Sequence, residues 1–398
     1  MKFFTATLLT LLLSSVATAC NIPVFRYALE RWRPDICEVI VFHDGSFTDA
    51  QKSFLSGLDA ASVDSNGIAN MKIVRQHLSE SMDDSIATLW AGLQSQDSKP
   101  ALPYVVVRSM VGRGKSVNSW RGSIDDAAAS GILDSPVRRE LTRRLVTGDS
   151  AVWLVLKSSN AERNSAVTTL LTQQLTELGN KIPLPEGIGL PGSELFSDIP
   201  LLMKFSVLEI DPSDPAESYL VNFLHGMDPD SKLADQPLVV PVFGRGRALE
   251  VIPASKVEAG LIEDLTLFLC GACSCQVKDM NPGFDLLLAK DWNTELFGED
   301  ADDVAEKMKS AAEDIALPEL VLIPPGRNSA KATQVAKDDE PAVSASAESV
   351  SAHQPVDGFK HVPDEFSVSA PATKSTGFVV WVIIGLIGFA ALAALFSR

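Results

Sequence analysis

Three cysteines lie within six residues of one another, at Cys270, Cys273 and Cys275. Only five cysteines occur in the 398 residues, so this cluster is the part of the sequence best suited to chemistry. Closely spaced thiolates can surround a soft metal ion at about 2.3 Å. Cu(I) accepts two or three thiolates, whereas zinc or an iron–sulfur cluster requires a fourth ligand, for which Cys37 is the candidate.

The same cysteines suit two other roles. In an oxidising compartment, a Cys270–Cys273 disulfide or a disulfide to Cys37 would fix the segment that follows the last predicted helix. A reactive dithiol is the remaining alternative, although the carboxyl end of a helix does not lower the pKa of a thiol. The sequence favours the disulfide over the metal site, and the metal site over the reactive dithiol.

Other polar groups have weaker chemical signatures. His43 and Asp44 follow a predicted strand, where they could serve as a base or ligand but are interpreted as a polar turn. The glycine- and arginine-containing segments 112–115 and 244–247 lie within predicted hairpins, so they are interpreted as turns and not as phosphate-binding loops. A basic patch on one predicted helix, interpreted as a solvated face or a docking surface, consists of Arg138, Arg139, Arg143 and Arg144. No nucleophile elbow, zinc-protease helix or Walker loop is present, so we predict no catalytic residues.

Residues 37–271 contain two copies of one pattern of strands and helices. In the first copy, strands are predicted at 38–42, 71–75, 103–107 and 117–120, with helices beginning near Thr48, Ser81 and Ser135. In the second copy, strands are predicted at 151–156, 202–210, 237–243 and 248–251, and residues 183–200 form an insertion. Its helices are predicted at 159–178, from Asp214, and at 261–269. Alternating strands and helices predict an α/β fold with mixed sheets in three layers.

The order of these elements resembles the thioredoxin-like fold, once in each copy. Pro103 and Pro237 stand where that fold places a proline, often with a cis bond, before its hairpin strand. The resemblance implies tandem thioredoxin-like units over residues 37–148 and 149–280. Where the redox-active family carries Cys-x-x-Cys, residues 43–47 and 157–160 contain no cysteine, so disulfide exchange at the usual site is excluded.

Both ends of the chain indicate export and membrane attachment. Residues 1–19 are typical of a signal peptide, and Cys20 directly after them is a candidate for lipidation. Residues 376–396 are long and apolar enough for one transmembrane helix, because about twenty helical residues cross a bilayer. The segments between these ends and the two units are an N-terminal segment at 20–36, an extension of the folded region at 281–326 that includes an acidic helix from Glu299, and a disordered linker at 327–375.

The net charge and two sequence segments narrow the expected role of the protein further. The net charge is −17, without the basic face that a nucleic-acid-binding protein needs. Segments 20–34 and 244–248, with the cysteine cluster, resemble an uncharacterised family of exported, membrane-anchored proteins of planctomycete-type bacteria. We therefore expect a single-pass protein of the cell membrane with a periplasmic body and a cytoplasmic C-terminus. Its expected role is binding or assembly, with the bilayer and an envelope protein or transporter as partners. The alternative is a thiol protein that binds copper or zinc, or acts in redox chemistry, through Cys270, Cys273 and Cys275.

Overall fold

The computed structural model describes residues 21–96, 100–111, 115–227, 235–272, 278, 283–304, 306 and 307. All of them belong to one compact unit. Up to Ser150 the elements are α1 (Val24–Arg31), β1 (Cys37–His43), α2 (Asp49–Ala61), β2 (Met71–His77), α3 (Asp84–Gln96), β3 (Tyr104–Val111), β4 (Lys115–Ser123), α4 (Ile124–Ala129) and α5 (Pro136–Val146). Beyond it they are β5 (Ala151–Leu156), α6 (Ala161–Lys181), β6 (Phe205–Ile210), α7 (Ser218–Met227), β7 (Leu238–Phe243), β8 (Arg247–Ala248), β9 (Ile252–Pro253), α8 (Ala259–Cys270), β10 (Phe284–Asp285) and α9 (Trp292–Phe297).

The strands of the two halves pair in the same way. In the first half, β1 is parallel to β2 and antiparallel to β3, and β3 also pairs with β4. In the second half, β5 is parallel to β6 and antiparallel to β7, and β7 also pairs with β8 and β9. The prediction of a mixed α/β fold is thereby confirmed.

A short strand near the end of the described chain joins the halves into one sheet. In β10, Phe284 pairs with Val111 of β3 on one side and with Ala248 of β8 on the other. The resulting sheet has ten strands in the order β2-β1-β3-β10-β8-β7-β5-β6, with β4 on β3 and β9 on β7. Among the described strands, β10 alone links the two sets, so its two residues decide that the halves form one sheet.

Alternating side chains place the core on both faces of this sheet. Val39 and Val41 of β1 share one large apolar cluster with Val152 and Leu154 of β5, so a single core face runs through both halves. Helices α2, α4, α5, α7 and α9 contribute apolar side chains to it. On the opposite face, α3 covers the first half, whereas α1, α6 and α8 cover the second. The fold therefore has three layers, with helices on either side of the sheet.

Local capping explains where the helices begin. The helix predicted near Thr48 is α2, which begins with a capping box between Thr48 and Gln51, and Ser135 caps α5 with Pro136 at its first position. Helix α6, predicted from residue 159, begins two residues later, at Ala161. Its cap is Asn160, which accepts from Arg163 N, because the Ser159 side chain is instead hydrogen-bonded to Asp235.

Helix α7 of the second half packs directly on β4 of the first half. The contact is close at Gly226, where an added Cβ would lie 1.9 Å from the Ser119 carbonyl oxygen. Such an approach is possible only for a residue without a side chain, so Gly226 sets how closely the two halves meet.

The predicted membrane elements lie outside the described residues. These are the leader at 1–19, the linker at 327–375 and the span at 376–396. Within the part of the chain that the structure describes, no helix has both the length and the apolar character for crossing a bilayer. Part of the predicted acidic helix is among the described residues, and residues 301–304 are helical.

We expect Gly226→Ala to destabilise the protein, because the new methyl group would collide with rigid backbone. Overpacking of this kind costs about 1–3 kcal/mol. Gly92→Ala is the matched control, since an added Cβ at this helical glycine meets nothing within 4 Å. The control should stabilise by about 0.5–1 kcal/mol through helix propensity. Urea unfolding of both variants measures the difference, and equal stabilities would contradict the close α7–β4 contact.

Candidate functional site

Of the predicted cysteine cluster, only Cys270 lies within the described residues. It is the last residue of α8, its thiol is free, and its side chain is 3% exposed. Burial raises the pKa of this thiol to about 12. At neutral pH Cys270 is therefore protonated, which makes it a poor nucleophile. Cys273, Cys275 and the lipidation candidate Cys20 fall outside the described residues.

Cys37 is also a buried, free thiol, at the start of β1. Its Sγ lies 3.6 Å from Ser109 Oγ, which in turn lies 2.8 Å from Ser119 Oγ. Burial raises the pKa of Cys37 to about 12, although the contact with Ser109 acts in the opposite direction. Cys37 is therefore part of a buried polar contact between strands β1, β3 and β4.

The sheet separates the two described cysteines. Cys37 belongs to the large cluster on one face, whereas α8, which ends at Cys270, packs with the cluster on the opposite face. The prediction of Cys37 as a fourth ligand to the cysteine cluster gains no support from this placement. Among the described residues, no group of three or more His, Cys, Asp or Glu side chains is arranged to hold a metal ion.

His43 lies at the carboxyl edge of the sheet beside His77. The two are paired across parallel strands β1 and β2, and their ring centroids are 5.1 Å apart. Each Nδ1 accepts a hydrogen bond from a backbone N–H, that of Gly45 for His43 and that of Ser79 for His77. The neutral rings therefore carry their proton on Nε2. Desolvation, followed by the neighbouring His77, lowers the pKa of His43.

The carboxylate of Asp44 does not form a dyad with the His43 ring. Its Oδ1 accepts from Ser46 N at 3.1 Å, which is the geometry of a polar turn. The corresponding position after β5 is Lys157, which pairs with Asp211 at 3.1 Å. The peptide bond before Pro103 is cis, and that before Pro237 is trans. Neither strand end carries a thiol.

The basic patch on α5 is not a solvated face as a whole, and the prediction was wrong for Arg138. This side chain is fully buried, with Nη1 donating to the Ile132 and Leu287 carbonyl oxygens at 2.9 Å. The guanidinium also lies 5.0 Å from the Tyr219 ring centroid. Of the other three, Arg139 pairs with Asp134, whereas Arg143 and Arg144 both pair with Glu140. The helix spacing gave no sign that Arg138 faces the core.

The turn at 244–247 is built for close packing. Gly244 and Gly246 both have positive φ, at 57° and 91°. An added Cβ at Gly244 would lie 2.7 Å from Ala28 Cβ, and one at Gly246 would lie 2.3 Å from Leu288 Cδ1. These glycines let the turn sit between α1 and the segment after β10, which fixes the position of Arg245.

Arg245 lines a cleft of about 560 Å³ that sequence reasoning missed. Its Nε donates to Leu29 O and its Nη2 to Glu30 O, both at 2.8 Å, and its Nη1 donates to Asn293 Oδ1 at 3.0 Å. Arg33 lines the same cleft. Burial, and then the charge of Arg33, lower the pKa of Arg245 to about 10. We call this feature the arginine cleft.

The arginine cleft combines four distant parts of the chain. Its lining residues are Arg33, Pro34, Ile36, Val63, Asn66, Gly67, Ile68, Ala69, Asn70, Arg245, Lys290, Asp291, Trp292 and Asn293. Segments 20–34 and 244–248 had stood out in the sequence, but nothing in their spacing shows that they meet.

Comparison with known proteins adds no identification. No protein family matches the chain, and no curated protein matches it as a relative.

We expect Cys37 to make the stability of the protein fall at alkaline pH. The thiol ionises near 9.0 when unfolded but only near pH 12 when folded, so stability is full below pH 9 and is lost as pH rises toward 12. Above pH 9, the free energy of unfolding of the wild type should fall by about 1.4 kcal/mol per pH unit more steeply than that of Cys37→Ser. Urea unfolding at pH 8, 9 and 10 measures these slopes, and parallel slopes would contradict the buried thiol.

Proposed function

We propose that the protein is a membrane-anchored, extracytoplasmic binding or assembly protein built from two thioredoxin-like units that are redox-inactive at the usual thioredoxin site. The strand orders β4-β3-β1-β2 and β8-β7-β5-β6 support the thioredoxin-like assignment, as does the position of Pro103 at the start of β3. The observation that carries the proposal is the chemistry at the ends of β1 and β5. His43 and Lys157 stand there, and both described thiols are buried elsewhere.

The membrane part of the proposal comes from the ends of the chain. A leader at 1–19 would export the body, and a span at 376–396 would hold it on the periplasmic side of the cell membrane with the C-terminus in the cytoplasm. The linker at 327–375 would let the folded part reach an envelope protein or transporter. Its root-mean-square length as a flexible coil is about 40 Å.

The second candidate function is a thiol protein that binds Cu(I) or zinc, or reacts, through Cys270, Cys273 and Cys275. The density of cysteines in that segment favours it. The raised pKa of Cys270 weighs against it, because a metal ligand must be a thiolate, although a bound ion would itself favour the thiolate.

Thiol counting and metal analysis of the purified full-length protein separate the two functions. Under the binding role, we expect no stoichiometric metal, no catalysed disulfide reduction, and Cys37 and Cys270 that react with a thiol reagent only after denaturation. Copper or zinc that is bound stoichiometrically, is lost in Cys273→Ser and is retained in Cys37→Ser would overturn the binding role. Recovery of the intact chain from the soluble fraction without detergent would overturn the membrane anchor.

A further inference from the structure

The arginine cleft holds two positive charges that have no carboxylate within ion-pair distance among the described residues. Within the described part of the chain, neither Arg33 nor Arg245 forms an ion pair, although the chain has 51 acidic residues against 34 basic ones and a net charge of −17. The neighbouring cations Arg247 and Lys278, by contrast, each form ion pairs with Asp35 and Asp285. Arg245 is partly desolvated and has the like charge of the exposed Arg33 nearby, which is unfavourable for Arg245 by itself, so the site is suited to an anion.

Arg245 has donors to spare for such an anion. Its three hydrogen bonds go to neutral oxygens, those of Leu29, Glu30 and Asn293, and a guanidinium has five N–H groups. The carboxylate that lines the cleft, Asp291, is occupied as the cap of α9, where it accepts from Thr294 N and Thr294 Oγ1. The Lys290 ammonium is paired with Glu295. Arg33 and Arg245 are thus the unneutralised cations of the lining.

Beside the two arginines, the cleft presents an apolar surface to solvent. Ile36 and Val63 are each 37% exposed and Ile68 is 52% exposed, and all three line the cleft. A volume of about 560 Å³ lies within the roughly 300–1,000 Å³ of small-molecule sites. A ligand that matches this surface therefore has an apolar body next to its negative charge.

Hydrogen bonds hold the walls of the cleft together. Asn70 Nδ2 donates to Asp35 O and Leu286 O, and Asn70 Oδ1 accepts from Leu288 N. On the other side, Lys290 N donates to Ile68 O at 3.0 Å. The arginines and the apolar residues are consequently presented by a preformed frame, which lowers the entropy cost of binding.

We propose that the arginine cleft binds an organic carboxylate with an apolar body, with the carboxylate between Arg33 and Arg245 and the body on Ile36, Val63 and Ile68. This ligand class deepens the proposed binding role and rests on it. The same chemistry occurs in a free aliphatic acid and in the C-terminal residue of a peptide. Planar, forked donors such as guanidinium groups suit the two oxygens of a carboxylate.

Titration of the full-length protein, followed by saturation-transfer NMR and calorimetry, tests the proposal with four probes. N-acetyl-leucine mimics a peptide C-terminus, 4-methylpentanoate is the corresponding aliphatic acid, N-acetyl-leucinamide lacks the charge, and acetate lacks the apolar body. We expect both leucine-like carboxylates to bind at least about tenfold more tightly than the amide and acetate. Tighter binding of N-acetyl-leucine than of 4-methylpentanoate would identify the peptide as the source, and the reverse would identify the aliphatic acid.

Two variants and one control variant locate the site. Arg33→Gln removes an exposed cation with no ion pair and should weaken the binding of both leucine-like carboxylates by about tenfold. The control Arg139→Gln removes an exposed cation outside the cleft and should leave their binding unchanged. Ile68→Ser should weaken the binding of N-acetyl-leucine without changing the binding of acetate. Unfolding curves verify that each variant is folded.

The proposal would be overturned if N-acetyl-leucinamide or acetate bound as tightly as N-acetyl-leucine. It would also be overturned if Arg33→Gln bound N-acetyl-leucine as tightly as the wild type does. Failure of all four probes would also overturn it. None of these outcomes affects the thiol and metal measurements, so the failure of the ligand class is distinguishable from the failure of the binding role.

Discussion

The pairing of Asp285 with Arg247 is the interaction on which the rest of the structure depends. Their side chains are 3% and 5% exposed and lie 3.2 Å apart, and Lys278 and Asp35 complete the charged group. Both residues are also backbone partners, in β10 and β8. Breaking a buried pair of this kind leaves an uncompensated charge, which costs about 3–5 kcal/mol. The short β10 strand is therefore fixed by charges as much as by its ladder.

The consequences of this fixed strand extend in both directions along the sheet. Because β10 lies between β3 and β8, two similar sets of strands become one surface with a shared core, on which α7 of the second half contacts β4 of the first. The segment after β10 then reaches Asn70, while the one before β1 supplies Asp35. The arginine cleft forms where these segments meet the turn at 244–247, so it exists only because the halves are joined.

The N-terminal segment is held by a second buried ionic group. Glu30 of α1 pairs with Arg26 and Arg31 and accepts from the backbone N–H groups of Phe196 and Ser197. Insertion 183–200 is thereby tied to α1, and α1 in turn provides the two carbonyl oxygens that orient Arg245. Sequence reasoning had treated 20–36 as a segment apart from the units and 183–200 as an insertion. In the structure both support the cleft.

The sequence by itself determined the mixed α/β class, the repeated strand order and most helix starts, because these follow from apolar periodicity and local capping such as that of Thr48 and Ser135. It also determined that no cysteine stands at the ends of β1 and β5. Tertiary structure alone decided that Arg138 is buried, that the strand of Cys37 and the helix of Cys270 contribute to cores on opposite faces of the sheet, and that Arg33 and Arg245 line one cleft. Each of these depends on contacts between residues far apart in the chain, and local spacing carries no information about which distant segments will pack together.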